Sequence, residues 1–162
     1  RATAKLMESY PLTVGAGFST REFRVSSTPT IETRDGVAFE VDFELGDFRR
    51  KGLHLFGEVT TGRNLAIADG VDNENFLAAQ GIATWFAPLE NARVEGWELA
   101  GRLSWGDPRR GIEDDEAMLL TPGVNLYFSG RNRIMLNWDV LMPTGSAFST
   151  EHVVRAQAQV YF

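Results

Sequence analysis

A two-residue alternation of apolar and polar side chains is the feature of this chain that most limits its fold. Within residues 39–45, apolar side chains occupy every second position, and Glu40, Asp42 and Glu44 occupy the positions between them. Neighbouring side chains of a β-strand point to opposite sides, so this segment predicts a strand with one apolar and one acidic face. On a helix the same carboxylates would be scattered around the axis.

The same period recurs along the chain, notably in residues 97–105, 134–140 and 154–162. We therefore predict an all-β protein of about eight to ten strands. The predicted strands are 2–9 (weak), 11–19, 22–31 (weak), 36–47, 52–63, 76–87, 93–105, 117–128, 133–142 and 153–162. Pro122 lies inside one of them and cannot donate a ladder hydrogen bond, so we expect a bulge or irregularity there.

The links that follow residues 36–47 alternate between short and long. The short links are 48–51, 88–92 and 129–132, and the long ones are 64–75, 106–116 and 143–152. Strands of about ten residues suit a tilted crossing of a bilayer. Short turns at one end and long loops at the other are typical of bacterial outer-membrane barrels. We therefore predict an antiparallel transmembrane β-barrel whose last strand ends at the periplasmic rim.

In such a barrel the apolar face meets lipid and the polar face lines a lumen. Trp97 and Trp105 are eight residues apart on one face, which is about 20 Å along the membrane normal for a tilted strand and places one indole near each interface. The predicted lipid-facing residues are Trp97, Leu99, Leu103, Trp105, Leu136, Trp138 and Val160. The predicted pore-lining residues are Glu40, Asp42, Glu44, His54, Glu58, Glu98, Arg102, Asn125, Arg133, Asn137, Asp139, Arg155, Gln157 and Gln159.

Composition excludes several function classes. The 162 residues carry 16 basic and 22 acidic side chains and no Cys, which argues against nucleic-acid binding and against thiolate chemistry. His54 and His152 lack a metal-ligand spacing, and we expect neither a metal nor a cofactor. An enzyme is not expected, although the Glu40 and Glu44 pair leaves a carboxylate hydrolase as an alternative.

Two sets of charged residues, the segment 113–116 and the pair Glu98 and Arg102, each have a structural and a functional interpretation. The acidic segment 113–116 could hold Ca²⁺ or bridge to lipopolysaccharide, but we expect a solvated loop. Glu98 and Arg102 lie four positions apart on one face, too far to contact each other along a strand. We expect each of them to form an ion pair across strands, in a role that stabilises the wall.

The C-terminal residues resemble the last three strands of the bacterial phosphate-selective porin O and P family. The resemblance lies in GVNLYF at residues 123–128, NWD at 137–139 and a closing strand that ends in Phe162. GWELAGRLSW at 96–105 is also similar, as are the paired strands that carry Glu40 and Glu58. The similarity covers about residues 36–162.

This resemblance implies a porin of about sixteen strands that is typically trimeric and passes small anions by diffusion. It implies that the chain, which begins at Arg1, is a single barrel domain or the C-terminal portion of one. The terminal pattern resembles the signal read by the barrel-assembly machinery, in Val154, Ala156, Ala158, Val160 and Phe162. The predicted lumen carries more carboxylates than arginines, which favours a general or mixed pore as much as a phosphate-selective one.

Two other interpretations stay open. A soluble β-sandwich that binds carbohydrate or a protein partner would use its tryptophans as core or as stacking platforms; these are Trp85, Trp97, Trp105 and Trp138. A small closed barrel in the outer membrane would have a structural or adhesive role and no conductance.

Overall fold

The computed structural model describes residues 2–7, 10–27, 30–47, 50–63, 75–91, 93–129, 132–145 and 148–161. These residues form one antiparallel sheet of nine strands in sequential order. The strands are β1 (Ala2–Met7), β2 (Tyr10–Ser27), β3 (Thr30–Leu45), β4 (Gly52–Arg63), β5 (Asn75–Pro88), β6 (Val94–Asp107), β7 (Ala117–Phe128), β8 (Arg133–Pro143) and β9 (Glu151–Gln159). The described residues contain no helix long and apolar enough to cross a membrane. The prediction of an all-β antiparallel fold is confirmed.

The separate strand predicted at 22–31 is wrong. β2 continues to Ser27, and its pairing with β3 runs without a slip from Leu12–Leu45 to Ser27–Thr30. Asp-Gly is a common turn dipeptide, but Gly36 lies within β3 and pairs with Arg21. Cross-strand pairing therefore overrides the local turn preference. Residues 28–29, which separate the two strands in the sequence, lie outside the described residues.

Pro122 interrupts the pairing of β7 with β8 but causes no bulge. The paired positions stop at Leu120–Val140 and resume at Gly123–Asn137 in the same register. On the other side of β7, Pro122 pairs with Gly101 as the register requires. Proline lacks the N–H that a ladder needs. The predicted irregularity is therefore a gap in one ladder, with no extra residue.

After β3, link length separates the two ends of the sheet. Residues 46–51, 89–93 and 129–132 connect strands at one end, which we call the short-turn end. Residues 64–74, 108–116 and 144–150 connect strands at the other, the long-loop end. β3 pairs with β4 only as far as Ala38–Gly62. The hairpin of β2 and β3 therefore projects beyond β4 at the long-loop end.

The two faces of the sheet differ in chemistry, and their burial is the reverse of that in a water-soluble sheet. The large side chains of the apolar face are exposed, as with Leu103 and Trp138 at 49% each. The buried side chains belong to the polar face; they are Asp42, His54, Thr84, Phe86, Glu98, Thr121, Asn125, Tyr127 and Asp139. Since the described residues form a single layer, this burial means that the sheet curls toward its polar face.

The sheet has two open edges. Among the described residues, β1 pairs only with β2 and β9 only with β8. Because β1 and β9 are the first and the last of nine consecutive antiparallel strands, they run in the same direction. No second sheet of described residues packs on the apolar face, so the two-layer arrangement of a sandwich is not what they form.

Candidate functional site

The residues predicted to line a pore all lie on the polar face. The register carries this face from strand to strand: Asp42 pairs with Glu58 and Glu58 with Gln80. At the other side of the sheet, Asn137 pairs with Arg155. On every strand, the pore-lining positions named from the sequence lie on the same side of the sheet as these pairs. The structure therefore brings the whole predicted set together on one surface.

The residues predicted to face lipid lie on the opposite face. Leu99 pairs with Val124 and Val124 with Leu136, and Trp97 and Trp105 have the same parity on β6. The described strand residues of the predicted assembly signal also lie on the apolar face. Ala156 and Ala158 pair with apolar residues of β8, and Val154 pairs with Trp138. Val160 lies just beyond β9 and is exposed, whereas Phe162 lies outside the described residues.

Carboxylates crowd one part of the polar face, which we call the acidic region (Glu40, Asp42, Glu44 and Glu58). Asp42 and Glu58 lie directly opposite each other on β3 and β4, a pairing that repels when both are ionised. Neighbouring side chains contact two of these carboxylates. His54 Nε2 lies 3.0 Å from Glu44 Oε1, and Gln80 Nε2 donates to Glu58 over 3.3 Å.

Gly15 makes room for one of these carboxylates. Gly15 pairs with Asp42 across β2 and β3, and a Cβ built on Gly15 would collide with the Asp42 carboxylate. Asp42 is buried, and its carboxylate occupies the space that a side chain on Gly15 would need. A side chain at position 15 would therefore have to displace the Asp42 carboxylate from its present position.

Glu98 is the most deeply buried carboxylate of the polar face, with 1% of its surface exposed. Asn125 Nδ2 donates to Glu98 Oε1 over 2.6 Å, and the Tyr127 hydroxyl donates to the same oxygen over 3.0 Å. The Tyr127 ring packs edge-on against Phe86, with 5.7 Å between ring centroids. Glu98 therefore contacts polar neutral groups across the strands, and the ion pair expected for it is not formed among these contacts.

A second cluster, which we call the arginine cluster (Arg102, Thr121, Asp139 and Arg155), joins four consecutive strands. Arg102 Nη2 donates to Thr121 Oγ1 over 3.3 Å, and Thr121 Oγ1 donates to Asp139 Oδ1 over 2.6 Å. Arg155 Nε lies 2.8 Å from Asp139 Oδ2, and Arg102 Nη2 lies 3.9 Å from Asp139 Oδ1. The cross-strand ion pair expected for Arg102 thus has Asp139 as its partner.

Several residues of the polar face were not singled out from the sequence. Thr121 and Asn125 are four residues apart on β7, so alternation could have placed Thr121 on the polar face. Its contact with Asp139 depends on the register of β7 and β8, which alternation does not give. Alternation alone does not decide which of the adjacent Trp85 and Phe86 lies on the apolar face of β5. The pairing resolves it, because Phe86 lies opposite Glu98 and Trp85 opposite Leu99.

Two of the segments predicted as long loops differ from expectation in detail: one is shorter than predicted, and one contains an ion pair. His152 belongs to β9 rather than to a loop, and its ring stacks on Trp138 with 5.7 Å between centroids. In the acidic segment 113–116, Asp115 pairs with Arg109 at 2.7 Å. In the part of the chain that the structure describes, no group of three or more acidic or histidine side chains is placed to hold a metal ion.

Comparisons with known proteins give no relative: no protein-family model, no curated protein and no solved structure matches this chain. The fold and the polar face define an all-β protein with one antiparallel sheet, a polar buried side and an apolar exposed side. What such a sheet does is therefore inferred from the residues of this chain.

Proposed function

We propose that this chain forms the wall of a bacterial outer-membrane porin, a passive diffusion channel for small hydrophilic solutes. The reversal of burial between the two faces carries the proposal. A water-soluble sheet hides its apolar face, but here the exposed face is apolar and the covered face bears carboxylates, arginines and amides. A lipid environment outside and a wet lumen inside would stabilise both faces.

The apolar face has the extent that a bilayer contact requires. Strands β4 to β8 contain between 11 and 14 residues, and a tilted crossing needs about 9–11. Trp85 and Trp97 meet near the short-turn end, with 5.2 Å between ring centroids. Trp105 lies near the long-loop end of β6. Aromatic side chains near both ends match the interfacial girdles of membrane barrels.

The open edges support a larger barrel. Closing β9 directly onto β1 would require a parallel pair, because the two strands run in the same direction. An open edge in hydrocarbon would leave N–H and C=O groups unpaired, at several kcal/mol each. We propose that further strands complete an even-numbered barrel of about sixteen strands, as the resemblance to the phosphate-selective porin O and P family implies. A trimer and contacts with lipopolysaccharide and the assembly machinery belong to the same proposal.

The charges of the polar face favour a pore that passes solutes of both charge signs over one that selects anions alone. The acidic region lies on β3 and β4, whereas the arginine cluster lies on β6 to β9. A pore selects ions by the charge of its lining. Solutes passing this wall would meet both signs of charge, which suits small hydrophilic solutes of more than one class.

The test is reconstitution of the intact protein. A porin requires detergent for extraction, migrates differently on gels before and after heating, and conducts in planar bilayers. Recovery in the aqueous fraction without detergent would contradict the proposal and favour the soluble binding module. A detergent-extracted, heat-modifiable protein that never conducts would instead favour the small structural barrel.

A further inference from the structure

Asp139 lies at the centre of the arginine cluster. Its two carboxylate oxygens face different partners: Oδ1 accepts the Thr121 hydroxyl at 2.6 Å, and Oδ2 lies 2.8 Å from Arg155 Nε. Arg102 Nη2 approaches Oδ1 at 3.9 Å. One carboxylate therefore faces two guanidinium groups that reach it from strands on either side.

The carboxylate and the guanidinium groups differ in their access to the open side of the polar face. Asp139 is buried, with 5% of the residue exposed, whereas the Arg155 side chain is 66% exposed. A cavity of about 290 Å³ opens beside them, and its lining includes Asp139 together with Arg102, Arg155, Asn137 and Gln157. Because Asp139 is less exposed than either arginine, an ion in this cavity would meet the two guanidinium groups more readily than the carboxylate.

Asp139 is held in this position by its neighbours. The Thr121 hydroxyl that binds it comes from the point where Pro122 interrupts the pairing of β7 and β8. Arg155 Nε approaches the carboxylate from β9, on the opposite side of β8 from Thr121. A buried carboxylate with contacts from both neighbouring strands stays under the two arginines while solutes pass.

We propose that Asp139 determines the ion preference of this part of the wall by offsetting the charge of Arg102 and Arg155. This inference rests on the proposed function, since it concerns the lining of a conducting pore. With Asp139 ionised, the three charged groups sum to a single positive charge. Without it, the half-buried guanidinium of Arg102 and the exposed one of Arg155 face the cavity with no carboxylate to offset them, and the pathway becomes more favourable for anions.

The experiment measures the chloride-to-potassium permeability ratio of the intact protein in a KCl gradient across a planar bilayer. Asp139→Asn keeps the shape of the side chain and removes its charge. One unit charge a few ångströms from a hydrated ion, partly screened by salt, changes the preference by about twofold. Asp139→Asn is expected to raise the ratio by that factor, Arg155→Gln to lower it, and the double variant to return it toward the wild-type value.

Glu98→Gln is the matched control. It removes the same unit of charge from a carboxyl that is buried on the same face and hydrogen-bonded to Asn125 and Tyr127. The inference expects a smaller shift from Glu98→Gln than from Asp139→Asn. Equal shifts would overturn it, because the ratio would then follow total lumen charge, and an unchanged ratio in Asp139→Asn would also overturn it.

Two further outcomes distinguish this inference from the function on which it rests. If the folded wild-type protein does not conduct, the proposed pore is contradicted and the role of Asp139 falls with it. If the wild type conducts but Asp139→Asn loses its heat-modifiable mobility, Arg155→Gln decides. A lower ratio in Arg155→Gln supports the arginine cluster, and an unchanged ratio contradicts it.

Discussion

Thr121 donates its hydroxyl proton to Asp139 over 2.6 Å where the backbone pairing of β7 and β8 is interrupted. Pro122 removes a ladder hydrogen bond at this point, since it has no N–H to donate. A hydroxyl bound to a carboxylate is a charge-assisted contact, stronger than a neutral one. Side chains therefore join the two strands across the gap in the ladder.

Replacing Thr121 with valine should destabilise the sheet. The variant keeps a β-branched side chain but leaves the buried Asp139 carboxylate without this donor, which costs about 1–3 kcal/mol. The midpoint of urea unfolding in detergent measures the loss. Thr60→Val is the control: Thr60 donates to Glu58 over 3.1 Å, and its pairing with Ala78 is uninterrupted. Equal losses in the two variants would contradict a special role for the gap.

Tyr127→Phe tests the cluster around Glu98. The substitution removes the hydroxyl that donates to Glu98 Oε1 and preserves the ring that packs on Phe86. Loss of one donor to a buried carboxylate should lower the free energy of unfolding by about 1–3 kcal/mol. Tyr161→Phe, at an exposed tyrosine, should change it much less. An unchanged free energy of unfolding in Tyr127→Phe would show that the buried carboxylate does not need this hydrogen bond.

Replacement of two different glycines by alanine should have opposite effects on the stability of the sheet. At Gly15 an added Cβ meets the Asp42 carboxylate, whereas at Gly81 it meets nothing within 4 Å. We expect Gly15→Ala to be destabilising, because Asp42 must move or the strands must separate. Gly81→Ala should be neutral or stabilising by about 0.4–1 kcal/mol, through the reduced freedom of the unfolded chain. Comparison of the two unfolding midpoints is the measurement, and a tolerated Gly15→Ala would contradict the packing of Asp42.

Arginine substitutions on the two faces should separate a lipid-facing surface from a water-facing one. Leu103→Arg places a charge on the exposed apolar face, and in the middle of a bilayer this costs about 2–4 kcal/mol. Gln157→Arg adds the same side chain to an exposed position on the polar face and should be tolerated. The yield of folded protein in phospholipid vesicles measures both. Equal yields would argue against lipid contact at Leu103.

Alternation predicted which residues share a face, because directly opposite residues of paired strands lie on the same side of the sheet. It did not predict partners. Glu98 binds Asn125 and Tyr127, and Arg102 reaches Asp139, because partner choice depends on the register between strands and on side-chain rotamers. The strand predicted at 22–31 failed for a related reason: the long pairing of β2 with β3 is a property of two segments together.

The most direct test of the central claim uses the absence of cysteine from the chain, since each introduced thiol then reports one position. Ala156→Cys and Gln157→Cys are neighbours on β9, and they occupy the apolar and the polar face respectively. In protein folded into vesicles, a fluorophore on residue 156 should be quenched by a probe carried on lipid acyl chains, and residue 157 should react with a water-soluble maleimide. Quenching at neither position, with both thiols open to the maleimide, would contradict a wall that has lipid on one side and water on the other.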